Sequence, residues 1–365
     1  MIAALHQVAL RHQFQVKGRP PAVQPVTAKL PPPPEPTCSL AQLAAASKLI
    51  VQRDAGLGDC LMILPTLAAI RQRFPRLEIV FQAPAEYTVL LEGFAEVDEA
   101  IALEESPAGH PSSETLFVDL SNYMERHPQA WQQPRIDLVG TAFGIAPLPR
   151  AAAYHPALQL QHQAKNWLAT HGCRAPTRIA VALRGIYGHR SWLVPYVFEL
   201  ARQLITKGQD VLIFDADMHA PQYPGIEEPT GETPVLPRAG TVAHAYGLEL
   251  PLVAALLADC DGAVVPDTGL LHLAACVGLP FVAIFGAVPP ELRLNHYENY
   301  RCLTAAKKVA CVPCYEGPQH MRCNYECLWE ITPTMVATAL QELLGEANGR
   351  CPGEVTNGFC GKPAF

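Results

Sequence analysis

The stretch QRDAGLGDCLMILP, residues 52–65, joins a strand pattern to a helix pattern through a glycine-containing turn. The apolar run of residues 49–53 predicts a buried strand, and the apolar spacing of residues 60–74 predicts a helix. Asp59 stands at the start of that helix. Its carboxylate has two interpretations: it caps the helix N-terminus, or it is directed into a binding cleft.

Two glycines, Gly56 and Gly58, precede Asp59. Glycine allows a sharp backbone turn and lets a ligand approach the main chain closely. The stretch is not the G-x-G-x-x-G dinucleotide fingerprint, and it lacks the lysine of a phosphate-binding P-loop. Gly56 and Gly58 therefore predict a sharp turn that a ligand can approach closely.

Chain length, composition and net charge restrict the class of protein. The chain has 365 residues, of which 49% are hydrophobic, so we expect two domains, each with its own core. A net charge of −7 argues against broad nucleic-acid binding. No apolar run reaches the roughly 18–20 residues of a membrane span, which leaves only peripheral membrane contact. Eight of the 12 cysteines are scattered singly, which favours a reducing cytoplasm.

Strand and helix patterns alternate in two series. The first series lies between residues 49 and 143, with strands predicted at 49–53, 77–82 and 116–120 and helices at 60–74 and 135–143. The second predicts strands at 178–183, 210–214, 262–266 and 281–285 and helices at 195–207, 252–258, 270–277 and 334–344. Such alternation predicts parallel sheets covered by helices on both faces. Two series predict an α/β protein with two doubly wound domains facing each other across a cleft.

The domain boundaries follow from composition. Residues 1–47 contain the proline-rich run RPPAVQPVTAKLPPPPEPTC and are predicted to be an extension. The first domain is predicted at 48–150 and the second at 151–345, separated by the proline-containing stretch APLPRAAAYHPALQLQ. Residues 346–365 are predicted to form a tail.

The second domain repeats the strand–turn–helix unit. Its strand 262–266 is followed by Asp267, Thr268 and Gly269, and a helix begins at once. First-turn amides have no partners within a helix and carry partial positive charge, so they predict a site for a diphosphate. His272 lies one turn further along, where it is either a packed histidine or a ligand contact.

A third stretch, VALRGIYGHRSWLVP, follows the first strand of the second domain. Arg190 in this loop suits bidentate contact with a phosphate. The alternative is a solvated surface loop. Its position after a strand, facing the same cleft, favours a functional role.

In three blocks the sequence resembles glycosyltransferase family 9, the heptosyltransferase family: GLGDCLMILPTLAAIRQRFP, HRSW and DTGLLHLAACVGLPFVAIFG. The blocks keep the family's order, and the resemblance extends over about residues 49–345. It implies a GT-B fold, a nucleotide-diphosphate sugar donor and inversion at the anomeric carbon. One departure is GAVPP at 286–290, where members commonly have a polar loop containing threonine.

The resemblance also implies roles for individual residues. Asp59 matches the family's proposed catalytic base, and Arg190 stands where members usually have a lysine that contacts the diphosphate. The segment 267–269 matches the donor-binding motif. The expected reaction moves a sugar, with heptose from ADP-heptose as the first guess, to a glycan, lipid-linked glycan or protein acceptor. No catalytic metal is expected.

A cysteine cluster lies near the end of the second domain, in CVPCYEGPQHMRCNYEC. Its spacing suits a structural four-thiolate zinc or iron site, with reduced thiols or two disulfides as the alternatives. The cluster resembles the iron-finger segment of bacterial autotransporter heptosyltransferases. Four protein ligands would leave no open coordination position. The four residues are Cys311, Cys314, Cys323 and Cys327.

Two other functions remain open from the sequence. A nucleotide-sugar epimerase also uses paired Rossmann-like domains, but it acts on a single substrate and has no acceptor site. A non-catalytic protein that binds nucleotide sugars is the other alternative. Release of nucleoside diphosphate only when an acceptor is present would distinguish a transferase from an epimerase.

Overall fold

The computed structural model describes residues 37–105, 114–185, 190–222, 240–305, 308–309, 311–312, 314 and 325–347. Cys323, most of the predicted extension and the predicted tail from residue 348 onward lie outside this part. Within it, no helix is both long and apolar enough to cross a bilayer. The cytoplasmic location stays a prediction.

The chain forms two parallel sheets. The first has the spatial order β3 (Glu99–Ala102), β2 (Glu78–Ala83), β1 (Lys48–Gln52) and β4 (Thr115–Asp119). The second has the order β10 (Tyr300–Thr304), β9 (Phe281–Phe285), β8 (Gly262–Pro266), β5 (Arg178–Ala182), β6 (Asp210–Asp215) and β7 (Val242–Tyr246). All neighbouring strands pair in parallel.

Helices cover both sheets. Those of the first domain are α1 (Leu40–Ala45), α2 (Leu57–Leu61), α3 (Leu64–Arg73), α4 (Ala85–Leu91), α5 (Tyr123–Arg126) and α6 (Arg135–Phe143). Those that follow are α7 (Leu158–Thr170), α8 (Val194–Thr206), α9 (Leu250–Ala258), α10 (Gly269–Cys276), α11 (Glu291–Leu294), α12 (Glu326–Trp329) and α13 (Pro333–Ala347). The central strands β8 and β9 are buried along their whole length, as expected of a parallel sheet covered on both faces.

The predicted helix at 60–74 is two helices, α2 and α3. Pro65 lies in the first turn of α3, where its missing N–H costs little. A proline at that position cannot donate to the carbonyl of Leu61, so a single helix could not continue through it. The joining residues Met62 and Ile63 keep a right-handed helical backbone conformation.

Part of the predicted extension belongs to the first domain. Ser39 caps α1 with a reciprocal capping box involving Gln42. The Cys38 amide donates to the carbonyl oxygen of Ala142 at 3.0 Å, and the Leu43 side chain is 1% exposed. Residues 37–47 are therefore packed on the first domain, where the Cys38 and Leu43 side chains are buried. The many prolines before them led to the prediction of an extension instead.

The stretch predicted as a domain boundary contains structure. Tyr154 forms an isolated bridge with Phe94 of the first domain, and its amide donates to the Cys276 carbonyl of the second at 2.9 Å. Helix α7 begins at Leu158 and buries only Ala164 and Leu168, which explains its weak periodicity. The linker is thus held by both domains.

Helices α2 and α10 form a close contact between the domains. A Cβ added to Gly58 would lie 2.5 Å from Cδ2 of His272, and one added to Gly269 would lie 3.0 Å from Cβ of Leu57. Both glycines therefore allow the two helix N-termini to approach each other. A second link joins α6 to the segment after α11, where Nε2 of His296 lies 2.7 Å from Oδ1 of Asp137.

We predict that Gly58→Ala lowers the free energy of unfolding by ~1–3 kcal/mol, because the new methyl group overpacks the contact with the buried His272 ring. Urea unfolding measures this change. Gly345→Ala is the matched control: it lies in α13, and an added Cβ there meets nothing within 4 Å. The control should gain roughly 0.5–1 kcal/mol from the removal of a helical glycine. Equal effects of both substitutions would contradict the close contact.

Candidate active site

Asp59 lies within the first turn of α2 and does not cap it. The N-cap of α2 is Gly56, which makes no side-chain capping bond, and Asp59 is the third residue of the helix. The N-cap interpretation of Asp59 is therefore wrong. Its side chain instead reaches arginines from neighbouring elements.

Two arginines hold the Asp59 carboxylate. Nη1 of Arg135, at the start of α6, donates to Oδ1 of Asp59 at 2.6 Å. Nη2 of Arg53, at the end of β1, lies 3.6 Å from the same oxygen. Arg53 is fully buried, and its Nη1 also donates to the Ser121 carbonyl at 2.8 Å. The side chain of Asp59 remains 24% exposed, so it can still be reached from the cleft.

Glu125 completes this group of charges. Its Oε1 accepts hydrogen bonds of 2.8 Å from Nη1 of Arg135 and from Nη2 of Arg53. Two cations and two anions therefore compensate one another in the first domain. Arg53, Glu125 and Arg135 were not among the sequence-predicted site residues. The signal that could have found them is their position at the carboxyl ends of β1 and β4 and at the start of α6, where ligands of such sheets bind.

These contacts lower the pKa of Asp59. Burial alone raises it, but Arg135, Arg53, Arg293 and Arg190 outweigh burial and bring the pKa below its ordinary value. Burial also raises the pKa of Glu125, and the same balance against Arg53 and Arg135 brings it down. Asp59 is therefore ionised at neutral pH and can accept a hydrogen bond or a proton. It is also a weaker base than a free carboxylate.

The second domain contributes Asp267 and two further arginines. Nε of Arg190 lies 2.9 Å from Oδ2 of Asp267, an ion pair without hydrogen-bond geometry, and donates to the Asp267 main-chain carbonyl at 2.9 Å. Nε of Arg293 lies 3.8 Å from Oδ1. Burial raises the pKa of Asp267, and Arg190 and Arg293 lower it overall. Arg190 therefore lies against Asp267, and its contact with a diphosphate stays a prediction.

Arg293 connects the two groups of charges. It is 3% exposed, and burial lowers its pKa to about 10 while Asp267 and Asp59 oppose that change. Arg293 and Arg190 both act on the pKa of Asp59 across the domain boundary. The sequence analysis missed Arg293, since the surrounding PPELRL carries no motif. The combined site holds four arginines and three carboxylates, which favours a ligand with added negative charge.

The N-terminus of α10 adds main-chain donors. Thr268 is its N-cap and makes no side-chain capping bond, so its hydroxyl does not occupy the first-turn amides. That hydroxyl donates weakly to the Pro266 carbonyl at 3.3 Å. Leu57 of the first domain packs against Gly269, so the space beside this glycine serves the domain contact. Amides of an uncapped first turn suit a phosphate oxygen.

His272 is a packed histidine in this structure. It is 1% exposed, and its Nδ1 lies 2.6 Å from the Tyr297 hydroxyl oxygen. Burial lowers the pKa of His272 to about 4, so the ring is neutral at physiological pH. Its edge faces Gly58, which places it between the two domains and beside the predicted site.

Arg184, in the same loop as Arg190, does not reach the site. Its Nε donates to Oδ2 of Asp215 at 2.7 Å, and its Nη2 lies 3.2 Å from Asp217.

The described cysteines of the cluster lie near the loop after β9. The Cys314 amide donates to the Ala287 carbonyl at 2.9 Å, and the Cys327 sulfur lies 3.2 Å from where a Cβ on Gly286 would be. Cys314 and Cys327 are buried, whereas Cys311 is exposed. Within the described part of the chain, which omits Cys323, no three potential ligands converge on one point.

Comparisons with known proteins identify relatives. Residues 179–324 match the profile of glycosyltransferase family 9 (heptosyltransferase). Lipopolysaccharide heptosyltransferase 2 of Salmonella typhimurium LT2 is 24% identical over 368 residues, covering 82% of this chain and 99% of the relative. Lipooligosaccharide heptosyltransferase 2 of Haemophilus influenzae Rd is 29% identical over 168 residues, covering 43% of this chain and 44% of the relative.

Solved structures share the fold. The Escherichia coli ADP-heptose lipopolysaccharide heptosyltransferase II matches with a TM-score of 0.62 at 19% identity, covering 83% of this chain and all of that one. The iron-containing dodecameric glycosyltransferase TibC of enterotoxigenic E. coli H10407 matches with a TM-score of 0.60 at 17% identity, covering 84% of this chain and 80% of TibC. The structure of TibC with ADP-D-β-D-heptose matches with a TM-score of 0.56 at 15% identity, covering 82% of this chain and 76% of that one. The predicted GT-B fold and family resemblance are confirmed.

We predict that Arg135→Gln lowers the free energy of unfolding at pH 7 by ~2 kcal/mol. This is less than the ~3–5 kcal/mol of a fully buried pair, because the carboxylates of Asp59 and Glu125 are partly exposed. A lowered folded-state pKa gives stability that is present above the unfolded-state pKa and lost as pH falls. The difference from wild type should therefore be full above about pH 4.5 and shrink below it.

Denaturant unfolding at several pH values tests this prediction. Arg202→Gln is the control, since Arg202 forms an exposed ion pair with Glu199 three residues away. It should cost only ~0.3–0.5 kcal/mol. A loss in Arg135→Gln that does not depend on pH would show that its packing, and not its charge, holds the site.

Proposed function

We propose that this glycosyltransferase, whose residues 179–324 match the family 9 profile, transfers heptose from ADP-heptose to a hydroxyl group of an acceptor, with inversion. The relatives' names supply the sugar and the nucleotide, since they describe heptosyltransferases and a TibC structure holding ADP-D-β-D-heptose. The observation that carries the proposal is the meeting of Asp59 with Arg190, Arg293 and Asp267 at the domain contact.

The donor would be held by the second domain. Its diphosphate would accept hydrogen bonds from the first-turn amides of α10 and from the Thr268 hydroxyl, which in the free protein points to a main-chain carbonyl. Arg190 and Arg293 would balance the charge, and Asp267 orients both guanidinium groups through ion pairs. His272, wedged against Gly58, would support the floor of the site.

The acceptor would approach from the first domain. Its hydroxyl oxygen attacks the anomeric carbon, the bond from that carbon to the diphosphate oxygen breaks, and the hydroxyl proton passes to Asp59. Attack opposite the leaving group gives inversion in one displacement. Negative charge grows on the departing diphosphate, where Arg190, Arg293 and the helix N-terminus stabilise it. No step in this scheme requires a catalytic metal.

The lowered pKa of Asp59 is compatible with this role. The acceptor hydroxyl becomes strongly acidic only as its oxygen bonds to the anomeric carbon, so a weak base can take the proton late in the step. Arg135 and Arg53 hold the carboxylate in place and keep it ionised before that moment. A proton on Asp59 would weaken both ion pairs, which favours its later release to water.

The acceptor class is a bacterial surface glycan or a protein. The names of the relatives favour lipopolysaccharide as the acceptor. The cysteine cluster favours a protein acceptor, because it resembles the iron-finger segment of autotransporter heptosyltransferases, and TibC, which shares the fold, contains iron. The epimerase alternative lacks an acceptor. A transferase releases ADP only when both acceptor and donor are present, so product analysis with and without acceptor decides between them.

We further propose that the cysteine cluster binds one structural zinc or iron ion. Cys314 and Cys327 fit this role in part, since both lie against the same loop, residues 286–287, and both are buried. Cys311 and Cys323 would complete four thiolates. A metal there would cross-link the loop after β9 to α12, and β9 borders the strand that presents Asp267.

We predict that Asp59→Asn reduces transfer by ~10²–10⁴-fold, the usual effect of removing a positioned base, because an amide cannot accept the proton. ADP affinity should remain close to wild type, since the donor groups lie in the second domain. Transfer rate and ADP binding by calorimetry are the measurements.

Asp54→Asn is the matched control for this prediction. Asp54 lies in the same turn and is exposed. It should retain near-normal transfer. If Asp59→Asn keeps normal turnover while Asp54→Asn loses it, the base is Asp54 and the proposed role of Asp59 is wrong.

We predict about one zinc or iron ion per chain in protein purified without chelators, as four-thiolate sites bind one. Cys327→Ser should lose the metal and some thermal stability. Cys173→Ser, which changes a buried cysteine outside the cluster, should keep the metal. Metal-free wild-type protein whose Cys327→Ser variant is as stable as Cys173→Ser would contradict the site. Elemental analysis and thermal unfolding provide both readings.

A further inference from the structure

Tyr297, in the segment after α11, is buried behind the candidate active site. The residue is 2% exposed, and its ring lies 5.6 Å from that of His272 and 6.5 Å from that of Phe281. Its hydroxyl oxygen lies 2.6 Å from Nδ1 of His272, and it has no other hydrogen-bond partner among the described residues. The scheme for sugar transfer above gives Tyr297 no role.

The Tyr297 hydroxyl donates this hydrogen bond. Burial raises the pKa of Tyr297 well above its ordinary value, so the hydroxyl keeps its proton near pH 7. A buried O–H group without an acceptor costs free energy. If Nδ1 of His272 were the donor, the hydroxyl proton would have no acceptor in the described part of the chain. Nδ1 therefore accepts.

His272 consequently carries its proton on Nε2. Burial lowers the pKa of His272 to about 4, so the ring is neutral near pH 7 and has a single N–H group. A neutral imidazole that accepts at one ring nitrogen donates from the other, and the partner of the first nitrogen decides which is which. The contact with Tyr297 therefore selects one of the two tautomers of His272.

Nε2 of His272 faces the boundary where the two domains meet. A Cβ added to Gly58 would lie 3.1 Å from this nitrogen and 3.5 Å from Cα of Gly269, so Nε2 lies beside the first turn of α10. Nε2 forms no hydrogen bond within the part of the chain that the structure describes, yet it is not sealed from solvent. Its N–H group is therefore available to an oxygen of a ligand bound at that helix N-terminus.

The position of the proton matters because carboxylates lie near this ring. Asp267 and Asp59 both act on the pKa of His272 through their charges. With the proton on Nδ1, the Nε2 lone pair would point to a boundary that already holds negative charge. With the proton on Nε2, the ring presents a positive edge there. The tautomer thus decides whether this edge attracts or repels an anion.

We infer that Tyr297 is a positioning residue for the donor: its hydroxyl holds the His272 proton on Nε2, and that N–H group binds an oxygen of the donor's diphosphate. The inference rests on the proposed transferase function. Tyr297 itself touches no substrate and acts through the ring of His272. No sequence pattern indicates this pairing, because the two residues lie 25 positions apart.

NMR of protein containing ¹⁵N-labelled histidine tests the tautomer directly. The resonances of His272 are those that His272→Gln removes from the spectrum of the 13 histidines. Wild-type protein at pH 7 should show a protonated Nε2 and an unprotonated Nδ1. In Tyr297→Phe, Nδ1 loses its partner, and its signal should move towards the average of the two tautomers. A protonated Nδ1 in the wild type, or resonances that Tyr297→Phe leaves unchanged, would overturn the inference.

ADP affinity, measured by calorimetry at pH 7, tests the consequence for the donor. Tyr297→Phe should weaken ADP binding by about three- to ten-fold, the effect of one misdirected hydrogen bond. Tyr154→Phe is the matched control. Tyr154 is also buried at the domain boundary, and its hydroxyl forms no hydrogen bond with any described residue. It should bind ADP as the wild type does, and thermal unfolding shows that each variant is folded.

A double-mutant cycle separates positioning from packing. Glutamine at position 272 keeps an N–H donor and has no tautomers, so Tyr297→Phe should change ADP affinity by less than two-fold in the His272→Gln background. An equal loss in both backgrounds would show that Tyr297 acts through packing, and the inference would be wrong.

The same titrations distinguish failure of this inference from failure of the proposed function. If the wild type and Tyr297→Phe bind ADP equally well, the positioning role is wrong and the donor site stands. If the wild type does not bind ADP, the proposed function is wrong and the inference falls with it.

Discussion

The contact between α2 and α10 is the constraint on which the site depends. Two helix N-termini approach closely only because Gly58 and Gly269 lack side chains, and His272 and Leu57 fill the space that remains. Each helix follows a central strand of its sheet, so the contact brings the carboxyl ends of β1 and β8 together. Asp59 and Asp267 consequently face one boundary, although they are separated by about two hundred residues of chain.

Such an arrangement concentrates ionised groups in a poorly solvated place, which is costly unless every charge has partners. The structure offsets this cost by placing arginines between the carboxylates of Glu125, Asp59 and Asp267, and Arg293 acts on carboxylates of both domains. The same alternation of positive and negative side chains sets the charge state of the site. It keeps Asp59 ionised, leaves a slight excess of positive charge for an anionic ligand and fixes directions that a solvated side chain would not keep.

The two domains contribute different groups to the site. The second domain offers main-chain amides and arginines, groups that recognise phosphate whatever sugar it carries. The first domain offers the Asp59 carboxylate, which Arg135 and Arg53 hold in place. In the proposed transfer scheme, selection between acceptors would fall to the first domain.

The sequence by itself determined the two parallel sheets and the turns where the site lies. Long apolar runs and strand–glycine–helix transitions are local signals, and buried strands such as Phe281–Phe285 carry them strongly. Helix α7 is 13 residues long but buries only Ala164 and Leu168, so its apolar pattern is too weak to reveal it. The apolar spacing of residues 60–74 continues across Pro65 and so does not show that the helix is broken there. The prolines before Cys38 dominate the local composition and conceal the apolar surface of Cys38 and Leu43.

Only the tertiary structure decided what the site residues contact. From the sequence Asp59 can either cap its helix or enter the cleft, and only the fold brings Arg135, 76 residues away, to its carboxylate. Arg53, Glu125 and Arg293 lie in segments without motifs, because a buried ion pair needs complementary positions in space and not a spacing along the chain. Likewise Gly58 and Gly269 look like ligand-binding glycines in sequence, and only the packing of α2 on α10 shows that they join the domains.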